Sequence, residues 1–424
     1  MDFAQPSNFQ QLITFPGRVR LSFNQFWLHC RTALLTIGFV ILSACSQQET
    51  DLTVNLKTGF AINDLEVVDP YGREALFSYP DFAGKYAVAT HSLILSDQSR
   101  IEPFEKDSIE NRKIQIRFFY PTSAEINRHS NSNKLPVIAE GAWQYLIGHQ
   151  QFSGKKLRYD NYRNARWNIS LDQKIAVEQP SYPVLVFSHG YGYSAEYYSA
   201  MSAELASKGF IVVSINHTYG ANPSDMGNND LVWAKPLSKE STGAYLPIWS
   251  DDQLFVIDQL ELINGNPNSL FYQKLDLANL GIFGHSYGGA ASYYSASRDQ
   301  RIKAVIDIDG TIFDYEDRYI SQPFAFILSK NHHPKFNFSN AGNIAYELRL
   351  PSFEHASFSD HILWWQWDHD DYKLGIGEVN AQRAVELTSE LVNDFFSTYL
   401  LSKESSWFRN ANVVTDEVIL VRKN

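Results

Sequence analysis

The segment Phe283-Gly284-His285-Ser286-Tyr287-Gly288-Gly289-Ala290 sets a hydroxyl between glycines, after an apolar run and before an alanine-rich one. A serine hydroxyl attacks a carbonyl only when a base takes its proton. It must also stand clear of neighbouring bulk, and Gly284 and Gly288 remove that bulk. The spacing G-x-S-x-G between a strand and a helix predicts a sharp turn that presents the Ser286 hydroxyl. The alternative is a glycine-rich turn that cradles phosphate, but neither a lysine nor a G-x-G-x-x-G pattern follows.

A serine held this way has its partners later in the chain, in the order acid then histidine, each at the carboxyl end of a strand. Asp309 ends the run "IKAVIDID" just before Gly310 and is the expected acid; Asp307, two residues earlier on the same face, is the reserve. Among 12 histidines, His355 in "SFEHASFSD" follows a later strand and is the expected base. His332 and His333, followed by Pro334, read as loop surface. The oxyanion that forms during attack needs fixed donors. The amide N–H of Tyr287, directly after the serine, is one. The N–H of Tyr191 in His189-Gly190-Tyr191-Gly192 is the other, because its glycines let backbone approach a substrate. Without the serine turn, that second segment would read only as a tight turn.

The elements that must position these residues are legible as alternating strands and helices. "YPVLVFSHG" is a short apolar run bounded by Pro183 and Gly190, and reads as a buried strand. "SAEYYSAMSAELASKG" reads as a helix capped by Ser194, with Tyr198, Met201 and Leu205 on one face and Gly209 at its stop. "FIVVSINH" is a second buried strand, so the three form a βαβ unit and imply a parallel sheet. The rhythm repeats. "DDQLFVIDQLELING" is a helix with Leu254, Ile257 and Leu260 or Ile263 inward, and "NLGIFG" is a strand. "GGAASYYSAS" is a helix, "IKAVIDID", "PFAFILS" and "AYELRLP" are strands, and Asn380–Leu401 is a closing helix. Upstream, "YAVATHSLIL" and "KIQIRFFYP" are β-rich, the second ending at Pro121. The expected fold is a doubly wound α/β domain over 86–405 with a mainly parallel sheet. Residues 122–180 break the rhythm and read as an insertion, either a cap over the site or a surface loop; 406–424 read as a tail.

Composition narrows the function classes. At 424 residues and 44% hydrophobic the chain can bury a large core, and a net charge of −11 argues against nucleic acid, whose phosphates need a positive face. Arg18, Arg20 and Arg31 precede the apolar run "TALLTIGFVILSA" (Thr32–Ala44), which ends in Leu42-Ser43-Ala44-Cys45. Basic lead, short apolar run and small residues predict a signal peptide over 1–44. The last four residues resemble a bacterial lipobox, so Cys45 is expected to carry lipid and 45–85 to form a tether and entry segment. A plain signal peptide or a short anchor is the alternative. Ser46 rather than aspartate after Cys45 suggests an exported, outer-membrane lipoprotein facing the periplasm or the cell surface. "WWQWDHDDY" (Trp364–Tyr372) holds metal-ligand residue types, but adjacent residues do not readily converge on one ion. A solvated acidic turn is expected there, with the tryptophans beside the pocket or at a lipid-facing rim.

Several consecutive blocks then resemble the plasma-type platelet-activating-factor acetylhydrolase family: "PVLVFSHGYG", "YYSAMSAELASKGFIVVSINH", "LGIFGHSYGGA", "VIDIDG", "QPFAFILS" and "FEHASFSD". The resemblance covers roughly residues 86–400 and implies an α/β-hydrolase fold with the triad at Ser286, Asp309 and His355. It also places the oxyanion amides at Tyr191 and Tyr287, and needs no cofactor and no metal. The implied reaction is hydrolysis of phospholipids with a short or oxidised sn-2 acyl chain through an acyl-enzyme, without calcium. The chain differs from the family pattern at Tyr191, where a smaller apolar residue is usual, and at Gly310. Alternatives are a general carboxylesterase or polyester hydrolase on the same scaffold and, from another class, a non-catalytic lipid-binding surface lipoprotein. The expected partners are an ester or phospholipid substrate and a membrane reached through the lipid on Cys45, with no nucleic acid.

Overall fold

Strand-forming runs that are apolar on both faces can be satisfied only inside a sheet covered by helices on two sides. The computed structural model describes residues 81–105, 109–123, 135–136, 166–227, 230–315, 317–342, 344–363, 375–408 and 412–423. Among these, eleven strands form one sheet. In chain order they are β1 (Ala87–Ile101), β2 (Asn111–Thr122), β3 (Ile169–Leu171), β4 (Tyr182–Ser188), β5 (Ile211–Asn216), β6 (Leu275–His285), β7 (Ile302–Ile308), β8 (Phe324–Ser329), β9 (Ala345–Leu350), β10 (Asn412–Val414) and β11 (Ile419–Arg422). Across the sheet the order is β10-β11-β9-β8-β7-β6-β4-β5-β2-β1-β3. The run from β5 to β9 is parallel throughout. β2 pairs antiparallel with β5 and β1, and β11 antiparallel with β9. The expected mainly parallel α/β sheet is the fold observed, and the antiparallel strands towards its two edges make it mixed.

The helices are α1 (Ser199–Ser207), α2 (Lys239–Gly265), α3 (Tyr287–Ala296) and α4 (Ala381–Leu401). Alternation along each strand divides the core between two faces. Leu185 and Phe187 of β4 meet Met201 and Leu205 of α1 and Leu391, Phe395 and Phe396 of α4. Val184 and Val186 meet Val256, Ile257 and Leu260 of α2 and Tyr293 of α3. α4 starts as its sequence suggests, the Asn380 side chain accepting from the Arg383 N–H at 3.2 Å. The two-faced burial is what holds the strand ends of β4, β6 and β7 side by side.

The structure departs from the expected elements at several places. Ser194 makes no capping bond, because a 3-10 turn over Ala195–Tyr198 precedes α1 and takes the chain around that corner. α2 begins at Lys239, twelve residues earlier than its apolar pattern suggests, with Ser238 as cap and Pro247 inside it. Its inward face is therefore partly polar: Trp249, Asp252 and Gln253 are buried beside Val256, Ile257 and Leu260, while Leu254 is only half-buried. The 406–424 tail instead supplies β10 and β11, with Val418 and Leu420 fully buried, since the short alternating run at its end covers the open edge of β9. Within the 122–180 segment, Ile169–Leu171 pairs parallel with β1, and Ile175 and Ala176 are core residues. β2 itself runs one residue past Pro121. The signal segment, Cys45, the tether up to residue 80, most of 124–165 and the 364–372 aromatic-acidic run lie outside the described residues. No helix among the described residues is long and apolar enough to cross a membrane.

Candidate active site

β6 ends at His285 and α3 starts at Tyr287, so Ser286 is the whole connection. Its backbone sits at φ 54 and ψ −118, a strained conformation for a residue with a side chain. The surroundings over-determine it. Its N–H donates to the Ile308 carbonyl of β7 at 2.7 Å, and its carbonyl accepts from the Gly289 and Ala290 amides. Glycines at 284 and 288 are required: a Cβ on Gly284 would lie 2.3 Å from the Gly288 backbone, and one on Gly288 2.3 Å from the Ser188 carbonyl. The turn is therefore as tight as its spacing implied, and it lifts the hydroxyl off the sheet end.

His355 opens a 3-10 turn after β9 and reaches back to this hydroxyl. Its Nε2 lies 3.0 Å from Ser286 Oγ, and its Nδ1 lies 2.6 Å from Asp309 Oδ2. Asp309 follows β7 with φ 53, which turns its carboxylate towards the imidazole. The Ser329 amide donates to Oδ1 at 2.7 Å and the Ser329 hydroxyl to Oδ2 at 3.1 Å. Burial would push this carboxyl up. The hydrogen bond and charge of His355, the charge of His332 and the Ser329 amide outweigh burial and hold it down at about 2. Asp309 is thus ionised and fixed, while the His355 side chain is one-third exposed.

Asp307, the reserve acid, is placed elsewhere. It is fully buried behind the serine turn, accepting from the Gly310 N–H at 2.8 Å. Its Oδ2 has no partner among the described residues. Burial pushes it well above the usual carboxylate range, helped by the negative charge of Asp309 and only partly opposed by the Gly310 amide. A Cβ on either Gly289 or Gly310 would lie 2.3 Å from Asp307 Oδ1, so those glycines make room for it. His332 donates from Nε2 to the Gly310 carbonyl at 2.9 Å and holds the acid's loop rather than the serine.

The expected oxyanion donors flank the same hydroxyl. A Cβ on Gly190 would lie 3.3 Å from Ser286 Cβ, so the 190–191 backbone runs directly against the serine. Neither the Tyr191 nor the Tyr287 N–H has an acceptor among the described residues. The two phenol rings meet edge to face at 5.5 Å, and Tyr191 stacks on Trp249. Tyr191 Oη donates to the Lys235 carbonyl at 2.8 Å, and Tyr287 Oη to the Thr242 carbonyl. The larger residue at 191 is therefore anchored away from the hydroxyl.

Sequence reasoning did not identify two further groups near the site. His285, inside the serine motif, bonds to Tyr198 and to the His355 carbonyl, and Ser329 holds the acid. His285 stood in a motif that draws attention to its neighbour; Ser329 carried no signal. His285, Asp309 and His355 bring ligand-type atoms within 4.8 Å of one another, as a metal site would. Each of those atoms already has a hydrogen-bond partner, including the Tyr198 hydroxyl and the Ser286 hydroxyl, so the cluster fits proton transfer better than ligation. A serine, an imidazole and an ionised carboxylate in series, with unpaired amides beside the serine, is the arrangement that acyl transfer requires.

Comparison with known proteins bears on this arrangement. A family model described as platelet-activating factor acetylhydrolase, isoform II, matches residues 76–222 and 263–360. The platelet-activating factor acetylhydrolase of Cavia porcellus is 31% identical over 257 residues, covering 52% of this chain and 56% of that protein. A probable 1-alkyl-2-acetylglycerophosphocholine esterase of Arthroderma benhamiae is 24% identical over 267 residues, covering 56% of this chain and 66% of that one. The chain thus spans between about half and two thirds of the length of the curated relatives it matches. A solved ferulic acid esterase from Streptomyces cinnamoneus shares the fold, with a TM-score of 0.65 over 80% of this chain and 98% of that one at 24% identity.

Proposed function

This chain belongs to the platelet-activating factor acetylhydrolase, isoform II, family, and from that premise we propose that it is a serine esterase cleaving short or oxidised sn-2 acyl chains from phospholipids. The observation that carries the reading is the continuous line from Ser286 Oγ through His355 to Asp309, at 3.0 and 2.6 Å. In the proposed reaction, Ser286 Oγ bonds to the ester carbonyl carbon while its proton passes to His355 Nε2. The carbonyl oxygen becomes an oxyanion that the Tyr191 and Tyr287 amides hold. Asp309, kept ionised, stabilises the imidazolium and fixes its tautomer. Collapse breaks the bond to the lysophospholipid oxygen, which takes the proton from His355 Nε2. Water then attacks the acyl-enzyme by the same steps and releases the free acid. No step calls for calcium.

The substrate half of this reading is tested on a panel of phosphatidylcholines differing in sn-2 chain length, beside p-nitrophenyl acetate, with and without a calcium chelator. Turnover that is fastest for acetyl or oxidised sn-2 chains and indifferent to the chelator is expected. Turnover of simple esters alone would make the chain a general carboxylesterase, and no labelling of Ser286 by a fluorophosphonate would return it to a non-catalytic lipid-binding role.

We further propose that the enzyme is held at a bacterial outer membrane through lipid on Cys45, a reading supported by Leu42-Ser43-Ala44-Cys45 after the basic and apolar lead and by Ser46 after the cysteine. Cys45→Ser should then abolish incorporation of labelled palmitate and move the protein from the membrane to the soluble fraction. Unchanged fractionation would remove the anchor from the account.

A further inference from the structure

Gly190 is held by both of its backbone polar groups, and each hold leads to a buried histidine outside the triad. Its carbonyl accepts from His189 Nδ1–H at 2.7 Å and from the Tyr193 amide at 3.0 Å. In a trans peptide the next N–H points the opposite way, so this clamp aims the Tyr191 N–H. The Gly190 N–H donates to Tyr198 Oη at 3.3 Å, and Tyr198 Oη lies 2.7 Å from His285 Nδ1. On the far side of that ring, His285 Nε2 lies 3.0 Å from the backbone carbonyl of His355.

The carbonyl of His355 sets every proton along this line. A carbonyl oxygen only accepts, so His285 Nε2 carries the hydrogen and, in the neutral ring, Nδ1 is an acceptor. Tyr198 must then donate to Nδ1, which leaves its oxygen free to accept from Gly190. Tyr198 and His285 are both wholly buried, so no water competes for these bonds. Burial and the neighbouring charge of His355 hold His285 well below the ordinary imidazole range, and the ring stays neutral. A Cβ on Gly190 would come within 3.2–3.3 Å of His285 Nδ1, Ser286 Cβ and Tyr198 Oη, so the junction is also closely filled.

We propose that Tyr198 and His285 are positioning residues for the ester hydrolysis: a buried hydrogen-bonded link that keeps the loop bearing the Tyr191 donor in register with the turn bearing the His355 base. The inference rests on the hydrolytic reading of Ser286. Two groups that must meet one reacting carbonyl come from loops far apart in the chain, and this link joins the Gly190 amide to the His355 carbonyl. Donors and bases misplaced by a fraction of an ångström lose transition-state stabilisation without losing substrate binding.

The test is a kinetic cycle on the full chain with a soluble short-chain ester. Tyr198→Phe keeps the buried ring and removes only the hydroxyl; His285→Gln keeps an N–H donor for the His355 carbonyl and no longer offers an acceptor at the Nδ1 position that Tyr198 meets. Each should lower kcat by about 10–100-fold with KM within about twofold, the pattern of an interaction felt in the transition state. The double variant should be no slower than the worse single one, because both break one link. Tyr293→Phe, at an equally buried residue whose hydroxyl bonds to the Arg318 carbonyl away from the site, should lower Tm and leave kcat unchanged. Tyr198→Phe matching Tyr293→Phe in kcat, or multiplicative losses in the double variant, overturns the link. A wild-type chain that neither hydrolyses esters nor labels at Ser286 overturns the hydrolytic reading beneath it, and this role with it.

Discussion

Ser286, His355 and Asp309 stand in line at 3.0 and 2.6 Å; Ser188, His217 and Asp252, at the ends of β4 and β5 and inside α2, stand in line at 2.9 and 2.9 Å. Residue types, order of contact and distances are nearly the same in the two regions, so these alone do not make an active site. Access separates them first. The His355 side chain is 34% exposed, whereas Ser188, His217 and Asp252 are each wholly buried, with Trp249 stacked on the His217 ring at 3.9 Å.

The acids also differ. Asp252 is gripped by Arg112 at 2.6–2.7 Å and by Arg100 at 2.9 Å; the charge and hydrogen bonds of Arg112, with the His217 hydrogen bond, hold it far below the usual carboxylate range despite its burial. Its charge serves those guanidiniums. Asp309 is met by the neutral donors of Ser329, which leaves His355 as its charged partner when the ring is protonated. The backbones differ as well: Ser286 is thrown out of its strand at positive φ with open amides beside it, while Ser188 remains in β4 and accepts from Gln253. The inner row is a polar joint between sheet and α2, and the outer row is the one that can meet a substrate.

Matched substitutions can break this contrast. Ser286→Ala should lower kcat by about 10⁴-fold or more with urea stability unchanged. Ser188→Ala should leave kcat within about threefold while costing about 1–3 kcal/mol, since His217 and Gln253 lose a buried partner. Comparable activity losses in the two would erase the distinction between the rows.

The carboxylates sharpen it next. Asp309→Asn should cost about 10³–10⁴-fold in kcat with the fold intact. Asp252→Asn should instead destabilise by about 3–5 kcal/mol by leaving the buried Arg112 charge poorly paired. Asp307→Asn, at a carboxyl already kept neutral, should do little to either measure, and an activity loss larger than that of Asp309→Asn would transfer the acid's role to it.

The most gradual effect is on acid stability. Burial lowers His189 to about 3 and also lowers His217 and His285, whereas unfolded histidine titrates near 6.5. Below about pH 6.5 the unfolded chain therefore binds protons that the folded chain refuses, and stability should fall as pH drops towards 3. The Asp309 contribution is complete above about 3.8 and is lost only as pH falls through about 2, so it does not mask this window. In urea titrations between pH 6.5 and 4.5, His189→Gln should flatten the decline by about 1.4 kcal/mol per pH unit. An unaltered slope would mean that His189 does not stay neutral.

What could be read along the chain was whatever depends on near neighbours. The glycines around Ser286 have only one steric use between a strand and a helix, and the apolar runs of β4 to β9 announce a sheet covered on both faces. Serine, acid and histidine follow in one order because each lies past the carboxyl end of a later strand, β6, β7 and β9 in turn. The early start of α2 was hidden by Gly243 and Pro247, poor helix formers that tertiary contacts override. Strands β10 and β11 were hidden because a short alternating run becomes a strand only when it finds an open edge.

The choice between Asp307 and Asp309 was made by the fold. Two residues apart they share a strand face, and only the positive φ at 309 turns one carboxylate to His355 and leaves the other sealed behind the serine. The link from Gly190 through Tyr198 and His285 to His355, and the sealed row at Ser188, likewise join residues tens of positions apart. Sequence by itself determined the sharp turn, the sheet and the kinds of residue at the strand ends, because sterics and periodicity act over a few residues. Which of those groups share a proton, a charge or an open surface was decided only in three dimensions, because hydrogen bonds and burial depend on what the distant chain brings alongside.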